Sequence, residues 1–216
     1  MYKGVNASEG IGIGVARVAV EPDLSFVPHS PEDTDAEKQR YVNAREKFVK
    51  QTQAQIERMK KTVGEGTAAI MQAHIDFAQD DGIIDMVNNS ITDGMCAEQA
   101  VQNAYDMYYN MFANMDDELF RERSADVADV RNGLLADLLG VELINLSALP
   151  ENSVVVVHEL TPSMTADIDK SDIVGIITET GGRTSHSAII ARQLEIPAVL
   201  SVENATQNIK NGDMCV

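Results

Sequence analysis

Residues 172–194, DIVGIITETGGRTSHSAIIARQL, decide the fold class of this 216-residue chain. The first part, 172–179, is an apolar run with the length of a buried strand. A tight TGG turn and RTSH follow, and then 185–194 repeats apolar residues at helical spacing. The predicted buried face of that helix consists of Ala188, Ile189, Ala191 and Leu194. The stretch therefore predicts a strand, a glycine turn and a helix in direct succession.

Two further apolar runs have strand length, SVVVVH at 153–158 and PAVLSV at 197–202. A helical piece at about 163–168 separates the first of them from 172–179, and GIGIGVARVAV at 10–20 predicts one or two more strands. Alternating strands and helices predict an α/β domain with a largely parallel sheet.

Between Pro31 and Gly140 the pattern is helical. Ser30, Pro31 and the acidic residues after them are typical of a helix start, and Gly140 is a natural helix end. Short breaks between long helices predict an antiparallel bundle. The chain is thus predicted to have a discontinuous α/β domain, residues 1–29 and 144–216, with an all-α subdomain inserted at 30–143.

Composition excludes several classes of protein. Asp and Glu number 34 against 17 Lys and Arg, a formal net charge of −17, whereas binding to nucleic acid requires clustered basic residues. A basic protein partner suits this charge better. The chain has no apolar run near the roughly 20 residues that span a bilayer and only two cysteines, Cys96 and Cys215. These features predict a cytoplasmic protein that does not enter membranes.

His186 stands out because it lies at the start of the helix predicted after the glycine turn. Thr184 or Ser185 would cap this helix, which places His186 in the first turn, where unpaired amides attract phosphate or another oxyanion. The helix dipole, positive at this end, favours an uncharged imidazole ring, whose nitrogen can act as a nucleophile. The neighbouring Gly181 and Gly182 allow close approach to the backbone, and Arg183 could clamp a phosphate.

Other interpretations of these residues stay open at this stage. His186 could be a helix-start residue whose ring nitrogen is simply hydrogen-bonded. A serine hydrolase is disfavoured because the chain has no G-x-S-x-G elbow. A metal site is disfavoured because the four histidines show no ligand-like spacing.

The glycines of GIGIGVA (10–16) superficially suggest a dinucleotide-binding loop. The spacing is G-x-G-x-G, and a strand rather than a helix is predicted to follow. The phosphate-binding mechanism of G-x-G-x-x-G requires a helix start at that point. We therefore expect these glycines to serve close backbone packing.

Four segments together resemble one family. GGRTSHSAIIAR (181–192) closely resembles the phosphohistidine signature of Enzyme I, the phosphoenolpyruvate–protein phosphotransferases of the bacterial sugar phosphotransferase system. ASEGIGIGVA (7–16), LTPSMTA (160–166) and ERSADVADV (122–130) resemble other segments of that family, in the same order. The resemblance covers essentially the whole chain.

This resemblance implies a swivelling phosphohistidine α/β domain, interrupted by helices that dock the phosphocarrier HPr. It implies that His186 is phosphorylated on Nε2 and that the Thr165 hydroxyl orients the ring. It also implies that Gly181, Gly182, Arg183, Thr184 and Ser185 form the phosphate loop.

The expected docking face lies in a strongly acidic part of the chain. Residues 71–120 contain ten Asp or Glu and no Lys or Arg, a pattern most often found on a solvated helix face. Within it, AAIMQAHIDFAQDDGII (68–84) lies where the family docks its carrier, and an apolar centre with an acidic rim suits a transient interface. The expected contacts are Ala69, Met71, His74, Phe77, Asp80, Asp81, Ile83 and Arg123. His74 could be a core residue, a ligand or a rim contact, and the last is favoured.

Full-length members of the family are longer. The resemblance implies a further C-terminal domain that binds phosphoenolpyruvate and Mg²⁺ and forms a homodimer, so this chain is expected to be a truncated, monomeric piece without a metal site. Two alternatives remain: the phosphohistidine domain of an enzyme like pyruvate phosphate dikinase or phosphoenolpyruvate synthase, and a non-catalytic docking module.

Overall fold

The computed structural model describes residues 2–62, 65–144, 146, 149–165, 168 and 170–216. The chain divides into two compact units. One unit, here called the strand unit, comprises residues 1–21, 58–68 and 144–216. The other, here called the helical unit, comprises residues 22–57 and 69–143. Both ends of the chain therefore build the strand unit, and the helical unit is inserted between them.

As far as the structure describes it, the strand unit contains a six-stranded sheet with the order β1-β5-β4-β3-β2-β6. Its strands are β1 (Val5–Ser8), β2 (Gly14–Val18), β3 (Ser153–Val157), β4 (Ile173–Thr178), β5 (Ala198–Leu200) and β6 (Met214–Cys215). The four strands from β5 through β4 and β3 to β2 run parallel, and the edge strands β1 and β6 pair antiparallel. Because parallel neighbours end on the same side, the segments that follow β3, β4 and β5 share one edge of the sheet.

In the described part of the chain, three helices connect these strands: α6 (Pro162–Thr165), α7 (His186–Leu194) and α8 (Ala205–Asn208). The β3 side chains are buried along the whole strand, as both faces of a parallel sheet require. The aliphatic core between the sheet and α7 includes Val155, Ile176, Ala188, Ile190 and Leu200. The predicted helix face needs one correction, because Ile190 is buried where Ile189 was expected, and Ile189 is only half-buried.

The glycines before β2 serve close packing, as the sequence predicts. A Cβ on Gly12 would lie 1.9 Å from the carbonyl oxygen of Val174, and one on Gly14 would lie 2.2 Å from that of Asn152. A strand, β2, begins at the second of these glycines, Gly14. Their spacing is therefore fixed by the approach of one backbone to another rather than by a dinucleotide.

Among the described residues, five helices build the helical unit, and parts of two of them belong to the strand unit. They are α1 (Thr34–Thr62), α2 (Glu65–Ala78), α3 (Asp81–Thr92), α4 (Ala97–Ala113) and α5 (Glu118–Leu139). Helix α4 packs against both α3 and α5. The core of this unit contains two buried tyrosines, Tyr41 and Tyr105, besides its aliphatic residues.

The predicted fold class, an α/β domain with a helical subdomain, is confirmed. Val63 and Gly64, which belong to the region predicted to be helical, lie outside the described residues. The sequence did not predict α8. The domain boundaries at 29/30 and 143/144 stay predictions, because they concern segments that fold independently rather than contacts within one folded chain.

Candidate functional site

The predicted phosphate loop lies at the edge of the sheet where the parallel strands end. The loop lies in the connection from β4 to α7, and His186 is the first residue of α7. Ser185 is the N-cap, and its hydroxyl accepts a hydrogen bond from the amide of Ala188 at 3.3 Å. Of the two caps that the sequence allowed, the structure selects Ser185, and it places His186 in the first turn as predicted.

Four consecutive carbonyl groups, that of Thr180 just before the loop and the first three of the loop itself, each accept a hydrogen bond from a side chain. Thr178 Oγ1 donates to the Thr180 oxygen at 2.5 Å, and Ser201 Oγ donates to the Gly181 oxygen at 2.7 Å. Ser185 Oγ donates to the Gly182 oxygen at 2.8 Å, and Arg192 Nη2 donates to the Arg183 oxygen at 3.0 Å. The oxygens that would repel an anion are therefore engaged.

The amides of the same loop are arranged differently. Across the described ranges, the amides of Gly181, Gly182, Arg183 and Thr184 donate to no protein acceptor. Gly181 has a φ of +99°, which favours glycine, and open space surrounds the position of a Cβ on Gly182. Arg183 and Thr184 are exposed. Successive free amides next to a helix start form a concave site for an anion.

The His186 side chain is half-buried rather than sealed in the core. The first turn of α7 is fixed to the segment after β3, because Ser187 Oγ donates to the Leu160 oxygen at 3.0 Å. Thr165, the predicted ring-orienting residue, is the last residue of α6, which lies in that same segment. Its side chain lies outside the described residues, so its relation to the His186 ring remains a prediction.

The structure reveals a second histidine at this edge that sequence analysis did not select. His158 follows β3 and Glu179 follows β4, and His158 Nδ1 lies 2.7 Å from Glu179 Oε2. The hydrogen bond to Glu179 raises the pKa of His158, with the negative charges of Glu179, Glu21 and Glu159 adding to it and partial burial opposing it. Hydrogen bonds from His158 and Thr206 lower the pKa of Glu179. The pair was missed because its members are 21 residues apart in the chain.

Of the residues expected to dock a carrier, two acidic ones have defined positions at the start of α3. Asp80 is the N-cap, and its Oδ1 accepts from the Ile83 amide at 2.9 Å. Asp81 is exposed. Phe77, half-buried at the end of α2, packs edge-on against Phe112 with ring centroids 5.7 Å apart. Asp80, Asp81 and Phe77 are therefore held at one α2–α3 junction.

The rim position expected for His74 is wrong. Its side chain is 1% exposed, and its ring nitrogens lie 3.5 Å from Asp126 Oδ1 and 3.7 Å from Asp129 Oδ2. Burial alone lowers the pKa of this imidazole, but contacts with Asp126 and Asp129 outweigh burial and the Arg123 charge, so its net shift is upward. At 3.5 and 3.7 Å these contacts are longer than well-aligned hydrogen bonds. Helical spacing placed His74 correctly on α2 but could not show that α5 covers it.

Two other expected contacts, Met71 and Ile83, are also fully buried, because the apolar face of each helix points into the core. The Ala69 side chain lies outside the described residues. Arg123 is partly exposed and donates to Asp126 Oδ2 at 3.1 Å. Sequence analysis missed three exposed apolar side chains of the same unit, Met107, Met111 and Phe120, because only the fold shows that α4 and α5 leave them uncovered.

Within the described residues, no group of three or more His, Cys, Asp or Glu side chains is placed to hold a metal ion. No helix in that part of the chain has the length and hydrophobicity needed to cross a membrane.

The sequence and the fold are similar to those of known proteins. The curated phosphoenolpyruvate-protein phosphotransferase of Enterococcus faecalis is 42% identical over 216 residues, covering 99% of this chain and 38% of that protein. Its counterpart from Listeria monocytogenes is 41% identical, with the same coverage. An NMR solution structure of an Enzyme I protein superimposes with a TM-score of 0.83 at 37% identity, covering 99% of this chain and 88% of that one.

The chain thus spans about two fifths of the length of these curated relatives. Family models match it in two places. The model described as "PEP-utilising enzyme, N-terminal" matches residues 3–123, and the one described as "PEP-utilising enzyme, mobile domain" matches residues 149–216. Together with the capped helix that begins at His186, these matches show that the chain belongs to the family of PEP-utilising enzymes.

Proposed function

We propose that this chain is the phosphohistidine and carrier-docking part of a phosphoenolpyruvate–protein phosphotransferase that acts in cytoplasmic steps of sugar uptake. His186 accepts a phosphoryl group on Nε2 and passes it to the histidine of HPr. The observation that carries the proposal is the half-buried His186 side chain at the start of a capped helix. Beside it, the carbonyls of residues 180–183 accept hydrogen bonds, while the amides of residues 181–184 donate to no acceptor among the described residues.

The arrangement suits transfer of a phosphoryl group between nitrogen atoms. The lone pair of the His186 ring nitrogen attacks phosphorus as the bond from phosphorus to the donor breaks, and the donor keeps that electron pair. The loop amides and the α7 dipole stabilise negative charge on the phosphoryl oxygens. Arg183 is exposed next to these amides and can bind the same oxygens.

The proposed role of Thr165 is to hold the His186 ring through the second ring nitrogen. A hydroxyl can accept from or donate to Nδ1, so it fits either tautomer. A Thr165→Val variant should transfer phosphate more slowly while docking HPr normally. Transfer at the rate of the parent protein would leave Thr165 a structural residue only.

We propose that HPr docks on the helical unit through a face that includes Phe77, Asp80, Asp81 and Arg123. Asp81 and Arg123 are accessible, and the junction of α2 with α3 supplies acidic groups that attract a basic surface. His74, Met71 and Ile83 support this face from beneath rather than contact the carrier. The exposed Met107, Met111 and Phe120 are further candidates for its apolar part.

The relatives extend far beyond the region that this chain matches. We propose that phosphoenolpyruvate and Mg²⁺ bind in that remaining part, which also forms the homodimer. On this proposal the chain by itself is monomeric and exchanges phosphate with HPr but not with phosphoenolpyruvate. The names of the similar proteins favour this assignment over a dikinase-like enzyme.

Incubation with phosphorylated HPr tests the proposal. The protein should acquire phosphate that is labile in acid and stable in base, and peptide mapping should place it on His186. His186→Ala should remove the label, and His29→Ala, a control at an exposed histidine, should keep it. Absence of label, or label that survives His186→Ala, would exclude this function in favour of a docking module.

Amide chemical shifts on titration with HPr test the docking face. Changes should concentrate at the α2–α3 junction and on α5. Changes spread over the strand unit would contradict the proposed surface.

A further inference from the structure

The carboxylate of Glu179 joins three segments at the start of the phosphate loop. His158 Nδ1 lies 2.7 Å from its Oε2. Its Oε1 accepts from the Thr206 amide at 2.8 Å and from the Thr206 hydroxyl at 2.6 Å. Glu179 is itself 14% exposed, whereas the His158 side chain is 54% exposed. One carboxylate therefore ties the ends of β3 and β4 to the start of α8.

The same residues hold the beginning of the loop through the backbone. The His158 carbonyl oxygen accepts from the Glu179 amide at 3.0 Å, from the Thr180 amide at 3.1 Å and from the Thr180 hydroxyl at 3.2 Å. Two residues after His158, the Leu160 carbonyl oxygen accepts a hydrogen bond from the Ser187 hydroxyl in the first turn of α7. Both ends of the phosphate loop are thus anchored to residues 158–160.

A carboxylate at this position poses an electrostatic problem. Glu179 is two residues before Gly181, where the run of free amides begins, and its negative charge opposes the arrival of a phosphoryl dianion. A protonated His158 compensates that charge, and the Thr206 donors stabilise the part that remains. The pair is therefore more than a tie between strands, because its charge state changes the field at the loop.

We propose that His158 and Glu179 are positioning residues for phosphoryl transfer to His186, and that protonation of His158 controls how readily the loop accepts the phosphoryl group. The inference rests on the proposed function and deepens it. His158 touches neither the phosphoryl group nor the attacking nitrogen in this role; it acts through Glu179 on the loop.

The direction of the pH effect follows from the charged groups around His158, which are Glu179, Glu159 and Glu21. All three are carboxylates, so they favour the imidazolium and raise the pKa of His158 above its usual value. Below that raised pKa the pair is neutral overall. As pH rises through it, the positive charge is lost, the Glu179 charge becomes uncompensated and transfer slows.

The test is the single-turnover rate of His186 phosphorylation by phosphorylated HPr between pH 6 and 9. Dividing each variant's rate by that of the parent protein cancels titration of the carrier. Asparagine at position 158 can still donate to Glu179 but carries no charge. We expect His158→Asn to be slower by roughly two- to fivefold at low pH, as for partly exposed charge pairs, and to match the parent at high pH.

Three further measurements complete the test. Glu179→Gln keeps an acceptor for Thr206 but removes the carboxylate, so the NMR titration midpoint of His158 should fall and transfer should lose the corresponding pH dependence. His29→Asn, at an exposed histidine of the helical unit, should match the parent at every pH. Thermal unfolding of each variant shows whether a rate change merely follows loss of structure.

Each outcome decides the inference. A rate ratio for His158→Asn that stays at one, or that is lowered equally at every pH, overturns it while leaving the proposed function intact. If the parent protein takes no phosphate on His186, the proposed function fails and the inference fails with it. A ratio that rises to one as His158 titrates supports both.

Discussion

The two units of this protein bury different kinds of polar group. Among the described residues, the polar side chains buried in the strand unit are hydroxyls, Ser8, Ser153, Thr178 and Ser187. The helical unit buries ionisable groups as well, namely Glu37, His74, Glu98 and Asp126. Both units have aliphatic cores, so hydrophobicity does not distinguish them.

The difference follows from how each unit fixes its geometry. A parallel sheet sets the register of its strands through backbone hydrogen bonds, and its charged groups can remain at the edge where the strands end. Helices leave their ends unsatisfied and can slide along one another. In the helical unit, Glu37 on α1 accepts from the Ala97 amide of α4 at 2.6 Å, and Arg40 on α1 pairs with Glu98 on α4.

The largest expected effect tests the backbone packing of the strand unit. Gly12→Ala places a Cβ against the Val174 carbonyl, and backbone on both sides cannot yield. We expect the unfolding free energy of this unit to fall by at least about 4 kcal/mol. Hydrogen exchange in β3 and β4 reports the loss, with α4 as the reference.

Gly182→Ala is the matched control, because its Cβ would enter open space. Its exchange protection in β3 and β4 should equal that of the parent. If Gly12→Ala kept the exchange protection of the parent, the backbone at Gly12 could move away from Val174 without cost.

The next effect tests the buried Glu37 carboxylate, which accepts a hydrogen bond from the first residue of α4. Glu37→Ala leaves the Ala97 amide without its acceptor, and Cys96, the N-cap, supplies no side-chain hydrogen bond. We expect a loss of about 1–3 kcal/mol in thermal or denaturant unfolding. Glu37→Gln retains an oxygen acceptor and should lose less, and equal losses in both variants would assign the effect to the Arg40 charge pair instead.

A smaller effect concerns the pH dependence of the helical unit. The groups facing His74 are Asp126, Asp129 and Arg123, and together with burial they leave its pKa raised. The stabilisation is therefore complete below the unfolded-state pKa of about 6.5, and it disappears as pH rises through the folded-state pKa. The unfolding free energy should fall by at most about 1.4 kcal/mol per pH unit in that window. His74→Gln should flatten this slope, and an unchanged slope would assign it to another group.

The smallest effect tests the α2–α3 junction. Asp80→Ala removes the N-cap of α3, which should cost about 1 kcal/mol. Asp81→Ala, the next residue, removes an exposed carboxylate that does not cap the helix, so it should change stability little. Thermal unfolding of the two variants separates the capping role of Asp80 from its charge. Equal losses of stability in the two variants would contradict the capping role.

Most of the strand unit was predictable, because local patterns determine it. Apolar runs indicated β3, β4 and β5, and the hydroxyl before His186 indicated where α7 begins. The glycine spacing of GIGIGVA correctly predicted close backbone packing. The burial of His74 and the pairing of His158 with Glu179 were not predictable, because each depends on which distant segment lies opposite.

The sequence by itself determined the alternation of strands and helices and the position of His186 in the first turn of a helix. It did so because hydrogen-bonding caps, glycine turns and apolar periodicity act over a few residues. Only the tertiary structure decided that Ser201 donates to the Gly181 carbonyl, which carboxylate meets His158 and which acidic groups are buried. Those contacts join residues tens of positions apart, and the chain brings them together only when the sheet and the helices pack.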